Sequence, residues 1–132
     1  MMSAGPILEL GVGDYSTPIL AAISRQQNRP FLAQTSDKEW ARKFVDIAQV
    51  KIVPDWLAWE PPAGPWGLAL LDNEQFVRDR ILQIPALSKV AKVLVMHDAD
   101  VAVGLANWQE CISGYKEIAM YKRYTPWTAV MR

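Results

Sequence analysis

The sequence predicts an α/β protein with a doubly wound, mostly parallel sheet and a C-terminal antiparallel hairpin. Three observations support this fold class: short apolar runs alternate with helical patterns along the 132 residues, a glycine turn follows the first run, and polar residues follow several others. Strands that alternate with helices form right-handed βαβ units, which associate into one sheet. The length is typical of one domain, so we expect residues 1–132 to form a single domain.

The first unit has the pattern of a strand, a glycine turn and a helix. Residues 6–10 form an apolar run that ends in a glycine turn, and residues 17–27 show a helical pattern. Ser16 or Thr17 is the predicted N-cap. Pro18 suits the first helical turn, where its missing N–H has no cost.

The second and third strands are also short. Residues 30–35 form the second predicted strand, and residues 36–39 have the form of a capping box, with Ser36 as N-cap of a helix that ends near residue 49. Residues 50–53 form the third strand. Residues 54–65 contain four prolines and one glycine, which predicts a loop. Loops of this length in compact domains are usually functional.

The rest of the chain continues the alternation. Residues 66–71 are continuously apolar, as expected of a central parallel strand that is buried on both faces. The later predicted elements are a helix over 73–84 bounded by Pro85, a strand over 90–96, a short helix near 101–111, and strands over 114–120 and 125–131 that pair as an antiparallel hairpin at the sheet edge. Arg78 and Arg80 then lie on a solvated helix face, or alternatively contact an acidic substrate.

The charge balance bears on the kind of partner. Fourteen basic and fourteen acidic side chains cancel. The sequence therefore offers no electrostatic footprint for a nucleic-acid backbone or an anionic membrane. We expect a small-molecule partner, and neither nucleic acid nor a membrane.

Cysteine and tryptophan usage bear on the compartment and the assembly state. The single cysteine, Cys111, excludes an internal disulfide, and no run approaches the roughly 20 apolar residues that span a bilayer, so we expect a soluble cytoplasmic protein.

Three of the six tryptophans, Trp56, Trp59 and Trp66, fall in or beside the predicted loop. Exposed aromatics of this kind line ligand pockets or oligomer interfaces, although they also fill small cores. We expect a homodimer or a higher oligomer.

Polar residues follow five of the predicted strands. They are Glu9 with the glycine loop, residues 35–37, Asp55, Asp72, and residues 97–100. The carboxyl ends of parallel strands meet at one edge of a sheet, and ligands bind there near the switch in strand order. We therefore predict the functional site at this edge.

Four segments resemble the class I, Rossmann-like S-adenosylmethionine-dependent methyltransferases, and together they extend over nearly the whole chain. Glu9-x-Gly11-x-Gly13, followed by Ser16-Thr17, is similar to the first motif of that family, and residues 66–72 and 93–98 are similar to its fourth-strand and fifth-strand motifs. The hairpin over residues 115–131 matches its antiparallel sixth and seventh strands. The resemblance implies a Rossmann-like cofactor-binding domain that uses S-adenosylmethionine for methyl transfer.

The resemblance also implies which residues contact the cofactor. Glycines let the backbone approach the amino acid moiety, and Glu9 attracts its ammonium group. Asp55 accepts from the adenine amino group, and Trp56 or Trp59 stacks on the ring; alternatively, Asp55 is a turn acid beside a tryptophan that anchors the core. The full implied set is Glu9, Gly11, Gly13, Tyr15, Ser16, Thr17, Thr35, Asp55, Trp56 and Asp72. A dinucleotide-binding loop is the competing interpretation, but Ser16 replaces its third glycine and an acid precedes the glycines.

Two departures from the family pattern bear on cofactor affinity. Thr35 stands where the second strand of the family ends in an acid that holds both ribose hydroxyls, and a neutral Thr makes only part of that contact. Either the Asp37 side chain reaches the ribose hydroxyls, or the cofactor binds weakly, or the site has lost or changed its ligand. The family also has a helix in place of the Pro-rich loop, and N-terminal helices that cover the site. An oligomer partner, or ordering of residues 54–65 on binding, would supply that cover.

The end of the fifth strand holds the residues that we expect to be catalytic. His97, the only histidine, forms with Asp98 a general base oriented by a carboxylate, or it is simply satisfied by its loop. As a base it would deprotonate a substrate hydroxyl before methyl transfer to an oxygen or nitrogen of a small molecule. Alternatively, Asp72, Asp98 and Asp100 hold Mg²⁺. The alternative function is a non-catalytic scaffold of the same fold that binds an adenosyl ligand or forms oligomers.

Overall fold

Residues 5–132 are described in the computed structural model, and they form a seven-stranded sheet. Its strands are β1 (Ile7–Leu10), β2 (Phe31–Thr35), β3 (Gln49–Ile52), β4 (Trp66–Leu71), β5 (Ala91–His97), β6 (Ile118–Tyr121) and β7 (Thr128–Met131). Their order across the sheet is β3-β2-β1-β4-β5-β7-β6. Residues 1–4 of the predicted domain lie outside the described residues.

The strand directions confirm the predicted fold class and the C-terminal hairpin. β1 pairs in parallel with β2 and β4, β2 with β3, and β4 with β5, whereas β7 runs antiparallel to both β5 and β6. The strand order switches at β1, between β2 and β4. Leu10 of β1 aligns with Gln34 of β2 and Leu71 of β4. The segments that follow these strands therefore leave the sheet at one edge, as ligand-binding loops do in doubly wound folds.

The helices between the strands are shorter than the sequence pattern predicts. They are α1 (Ser16–Gln27), α2 (Lys38–Phe44), α3 (Val77–Arg80), α4 (Ile84–Ser88), α5 (Ala99–Ala102) and α6 (Trp108–Cys111), with 3₁₀ turns at Trp56–Ala58 and Ile81–Gln83. α2 ends five residues before the predicted end, and the stretch predicted over 73–84 begins later and is broken. Pro85 lies in the first turn of α4, where it lacks no helical bond, instead of ending a helix. Among the described helices, none combines the length and apolarity needed to cross a membrane.

Two helix starts differ from the predicted caps. Asp37, and not Ser36, caps α2, because the Asp37 side chain accepts from two backbone N–H groups of the first turn. The Ser36 N–H and hydroxyl instead donate to Glu74. α1 follows Tyr15 and has no side-chain cap. The Thr17 hydroxyl, a predicted cap, is bonded within the glycine turn.

The hydrophobic core is built on the central strands and on the helices that follow β4. Its fully buried members include Leu8, Leu10, Leu71, Leu94 and Met96 from the strands, and Ile81, Ile84 and Leu87 from the helical segment. Each such side chain contributes roughly 1.5 to 3 kcal/mol through burial. Trp56 and Trp66 also belong to the core, with 6% and 8% of their surface exposed, so the expectation of exposed tryptophans is wrong for both. These two side chains support no oligomer interface, and the oligomer stays a prediction.

Candidate functional site

The turn after β1 requires glycine at position 11. Gly11 has a φ of 91°, and a Cβ built on it would lie 2.1 Å from the backbone oxygen of Asp72. Its N–H donates to the Gln34 carbonyl at 2.7 Å. The turn therefore packs directly on the segment that follows β4. Gly13 is less constrained, since a Cβ there would meet the Ser16 hydroxyl at 3.2 Å.

Glu9 lies beneath this turn and holds it through Thr17. The Thr17 hydroxyl donates to Glu9 Oε1 at 2.6 Å and accepts from the Gly13 N–H at 2.9 Å. Glu9 is fully buried, and no donor among the described residues reaches its Oε2. Burial raises the pKa of Glu9 to about 7, although hydrogen bonds from Ser16 and Thr17 favour its carboxylate form.

Three other predicted cofactor residues lie before α1 and after β3. Tyr15 is exposed at the start of α1. Asp55 accepts from the Leu57 N–H at 2.9 Å and so caps the first 3₁₀ turn. Trp56, within that turn, is buried, and its indole N–H donates to Glu74 Oε2 at 2.7 Å. The Trp56 ring is thus part of the hydrophobic core, and its Nε1–H points to the Glu74 carboxylate.

Glu74 follows β4 and reaches the end of β2. Its Oε1 accepts from the Thr35 hydroxyl, and its Oε2 accepts from the Ser36 N–H at 3.4 Å and the Ser36 hydroxyl at 3.2 Å, in addition to the indole of Trp56. A single carboxylate therefore joins the segment after β4 to the end of β2 and to the 3₁₀ turn. Thr35 lies fully buried beneath it.

A cavity of about 400 Å³ adjoins the Glu74 carboxylate. Its lining includes Ser36, Asp55, Trp56, Glu74 and Phe76. The segments that follow β2, β3 and β4 thus share one opening. Phe76 also lines a second, largely apolar groove of about 400 Å³, formed with residues that follow β5.

Charged side chains at the carboxyl ends of β4 and β5 meet Arg80 of α3. His97 Nδ1 lies 3.2 Å from Asp98 Oδ1 and 3.6 Å from Asp72 Oδ1. Arg80 Nη1 lies 3.1 Å from Asp98 Oδ2 and 3.4 Å from Asp72 Oδ1. The imidazole is 42% exposed, whereas the guanidinium is 7% exposed, so solvent reaches the histidine and not the arginine. The structure brings His97, Asp98 and Asp72 together.

Arg80 is a structural cation and not part of a solvated helix face. Its guanidinium donates to the carbonyls of Asn73 and Gln75, at 2.9 and 3.3 Å, as well as to Asp98. The expected exposure is correct for Arg78, which is 74% exposed, and wrong for Arg80. Burial raises the pKa of Asp72, and the neighbouring His97 and Arg80 side chains oppose that rise.

The residues that could bind a metal ion differ from the three aspartates that the sequence predicts. Asp72, His97 and Asp98 each offer one ligand atom, and these atoms lie within 4.8 Å of one another. Asp100 lies elsewhere, because its Oδ1 accepts from the Trp127 N–H at 3.1 Å. The predicted set of three aspartates is therefore not assembled. Arg80 already supplies positive charge to both carboxylates of the group.

Glu74 and Arg80 are the site residues that the sequence interpretation missed or misplaced. A signal exists for Arg80, because Arg80, Ile84 and Leu87 follow the i, i+4, i+7 spacing of one helix face, and the other two are core residues. No spacing identifies Glu74, since its bond to Thr35 links positions 39 apart in the chain. That contact depends on the sheet order, which places only β1 between the two strands.

Comparison with known proteins identifies the fold. No family model matches the sequence, and no curated protein matches it. Among solved structures, the chain is similar to a methyltransferase from Thermoplasma acidophilum (12% identity, TM-score 0.57), the 23S rRNA methyltransferase ErmE (17%, 0.54) and the N-terminal domain of human METTL16 in complex with S-adenosylhomocysteine (17%, 0.59). Each alignment covers 99% of this chain. The chain thus has the Rossmann-like methyltransferase fold.

The same comparisons correct the expected partner. The alignments cover 68%, 61% and 61% of the three matched chains, so this chain spans about three fifths of two of them. ErmE is a 23S rRNA methyltransferase. The expectation that nucleic acid is excluded is therefore wrong, because a balanced net charge says nothing about where charge lies on a surface or about recognition by parts beyond this fold.

Proposed function

We propose that this chain binds S-adenosylmethionine and transfers its methyl group to an acceptor oxygen or nitrogen. The observation that carries the proposal is the methyltransferase fold, shared over 99% of the chain with enzymes named as methyltransferases. A fold hosts many functions, so the chemistry is argued from the residues at the edge. They belong to three features: the glycine turn after β1, the cavity that Trp56 lines, and the cluster of His97, Asp98 and Asp72.

The residues at the edge fit this cofactor. Gly11 leaves no room for a side chain between the turn and the end of β4. Oε2 of Glu9 is a buried acceptor without a partner among the described residues, which suits an ammonium group once the turn opens to it. Oδ1 of Asp55 caps the 3₁₀ turn, so an adenine amino group would meet Oδ2. When bound, the cofactor supplies an activated methyl group on its sulfonium.

We assign cofactor binding to the predicted set as a whole. It consists of Glu9, Gly11, Gly13, Tyr15, Ser16, Thr17, Thr35, Asp55, Trp56 and Asp72. The structure supports two kinds of role within it. Glu9 and Thr17 hold the turn in place, and Trp56 forms part of the wall of the cavity.

We assign proton removal to His97. Its Nδ1 is turned toward Asp98 and Asp72, so Nε2 is the atom that would accept a proton from a hydroxyl acceptor. The two carboxylates would then stabilise the imidazolium cation. Asp98 acts through His97 by orienting the ring. Arg80 fixes Asp98 from the buried side.

The acceptor is either a small molecule or a nucleic acid. The features of the site suit both classes: an imidazole that is 42% exposed, and a largely apolar groove that Phe76 lines. Incubation with methyl-labelled S-adenosylmethionine and, separately, total RNA or a low-molecular-weight metabolite extract identifies the class. Label in one of the two fractions supports methyl transfer and names its target.

Cofactor binding is tested first by thermal shift. S-adenosylmethionine and S-adenosylhomocysteine should each raise the melting temperature, and NAD and ATP should not, because only a ligand that binds the folded state stabilises it. At 100 times Kd the stabilisation is about 2.7 kcal/mol. A protein that responds to neither adenosyl compound would rule out the proposed function.

The role of His97 is tested by separating binding from turnover. His97→Ala should bind S-adenosylhomocysteine with unchanged Kd and lose about 100-fold or more in kcat, the usual contribution of a general base. Unchanged turnover would remove His97 from the mechanism. Cofactor binding without turnover on either acceptor fraction by the unaltered protein would instead favour the non-catalytic scaffold, which the neutral Thr35 motivates.

A further inference from the structure

Glu74 presents a carboxylate at the end of β2 although it follows β4 in the chain. Its partners are the Thr35 hydroxyl, the Ser36 N–H and hydroxyl, and the Trp56 indole. All four groups are neutral donors, and they come from the opposite side of β1. They fix the position of the carboxylate without cancelling its charge.

The Glu74 carboxylate is available to a ligand. No Lys, Arg or His within residues 5–132 forms an ion pair with it. It lines the cavity of about 400 Å³ with Trp56 and Asp55. The two bonds from Ser36 are its long ones, at 3.2 and 3.4 Å, and both are exposed to solvent. Ligand hydroxyls can therefore replace them at little cost.

The chemistry of this arrangement selects a ligand with two adjacent donors. A carboxylate only accepts hydrogen bonds, and each of its oxygens has two lone pairs. Oε1 accepts one bond, from Thr35, and Oε2 keeps one bond, from Trp56, once Ser36 is displaced, so each oxygen can accept one of two neighbouring ligand hydroxyls. A phosphate or another carboxylate would be repelled. We propose that Glu74 holds the two ribose hydroxyls of the adenosyl ligand, and that Thr35 and Ser36 orient Glu74 for this contact. This inference rests on the proposed function.

The assignment gives Thr35 a role that its neutral side chain can perform. Thr35 is fully buried, and its hydroxyl also accepts from the Asp37 N–H at 3.1 Å. It therefore donates to Glu74 from a fixed position. Asp37 is occupied as the cap of α2, so it is not the acid that reaches the ribose.

The alternative is that Glu74 only holds the loop after β4 against the end of β2 through its hydrogen bonds. A purely structural link of this kind would compete with the ligand for space, so its removal would leave the affinity for the adenosyl ligand unchanged or increase it. Removing a ligand contact lowers affinity, and only for ligands that have the hydroxyls. The two roles are therefore separated by one variant and two ligands.

The experiment measures Kd by isothermal titration calorimetry for S-adenosylhomocysteine and for its 2′,3′-dideoxy analogue. Glu74→Gln should weaken S-adenosylhomocysteine binding by about 10- to 100-fold, the effect of a hydrogen-bonded charge, and should leave the Kd of the analogue unchanged. Glu39→Gln is the matched control, since Glu39 is 81% exposed on α2 and should change neither value.

Each other outcome overturns the inference. Equal affinity of Glu74→Gln and the unaltered protein for S-adenosylhomocysteine would mean that the carboxylate does not contact the ribose. Equal weakening of both ligands would mean that Glu74 only maintains the shape of the cavity. If the unaltered protein binds neither ligand, the proposed function fails first, and the inference fails with it.

Discussion

At the scale of single residues, the site contains two buried ionisable side chains, Arg80 and Glu9, whose surroundings differ in charge. Arg80 is surrounded by two carboxylates and by backbone carbonyls that accept from its guanidinium. Glu9 accepts from the Thr17 hydroxyl, no cation within residues 5–132 forms an ion pair with it, and burial raises its pKa to about 7. Arginine stays charged at any ordinary pH, whereas a buried carboxyl group can become neutral. The fold therefore depends on pH through Glu9 and not through Arg80.

Glu9 should make the fold less stable as pH rises from about 4.5 to about 7. In this window the unfolded chain releases the Glu9 proton and the folded chain keeps it, so the free energy of unfolding falls with pH. The fall amounts to about 3 kcal/mol, from 1.36 kcal/mol per pKa unit. Urea unfolding at several pH values should show this slope, and Glu9→Gln should lack it. An identical slope in both proteins would contradict the buried position of the charge.

Removal of Arg80 should be costly because two carboxylates lose their buried cation. Arg80→Met is expected to lower the free energy of unfolding by about 3 kcal/mol, at the low end for a broken buried ion pair, since both aspartates are partly solvated. Arg78→Met is the matched control on the same helix and should change stability by less than about 0.5 kcal/mol. Similar values for the two variants would refute the structural role of Arg80.

At the scale of elements, strands were more predictable than helices. The continuous apolar run over residues 66–71 marked β4, as expected of a strand buried on both faces, and the Val-rich run over 90–96 marked β5 to within one residue although it contains Lys92. The helical segment after β4 was less predictable. Residues 72–76 form a loop at the end of β4. The sequence does not indicate this loop, because Glu74 and Gln75 have favourable helix propensity.

The glycine turn provides a test at this scale. Gly11→Ala should destabilise the fold by at least about 2 kcal/mol and abolish binding of S-adenosylhomocysteine, because a Cβ would overlap the backbone after β4 and the φ of Gly11 is positive. Gly104→Ala is the control, since its nearest contact would be at 3.6 Å. Normal stability and binding of Gly11→Ala would show that the turn can move away from β4.

The candidate site was predictable only in part, for a physical reason. Residues that directly end a strand, such as Asp72 and His97, could be placed at the edge from the parallel pattern alone. Contacts between the loops could not, because they depend on the order of strands in the sheet. The carboxylate of Glu74 at the end of β2 is the clearest case, and the buried ion pairs of Arg80 are another.

At the scale of the whole molecule, the sheet is completed by a strand from late in the chain. β7 lies between β5 and β6, and its Ala129 and Met131 are fully buried. Met131 aligns with Leu94 of β5 and with Ile118 of β6. The fold therefore depends on packing at residues that come after all of the proposed site residues in the chain.

Truncation of this strand's core residue should lower stability throughout the molecule. Met131→Ala is expected to cost about 2 to 5 kcal/mol, the range for shortening a buried side chain. Tyr124→Ala, at a position that is 72% exposed in the hairpin turn, should cost far less. Thermal unfolding followed by circular dichroism measures both, and equal melting temperatures would mean that β7 adds little to the core.

The position of β7 also bears on how the protein is made. Residues 94–97 of β5 can pair on that side only after residues 128–131 have left the ribosome. Until then, a nascent chain carries an apolar strand with unpaired N–H and C=O groups, which attracts other chains or a chaperone. Every molecule passes through this exposed stage during its synthesis, with its glycine turn, Glu74 and His97 already translated.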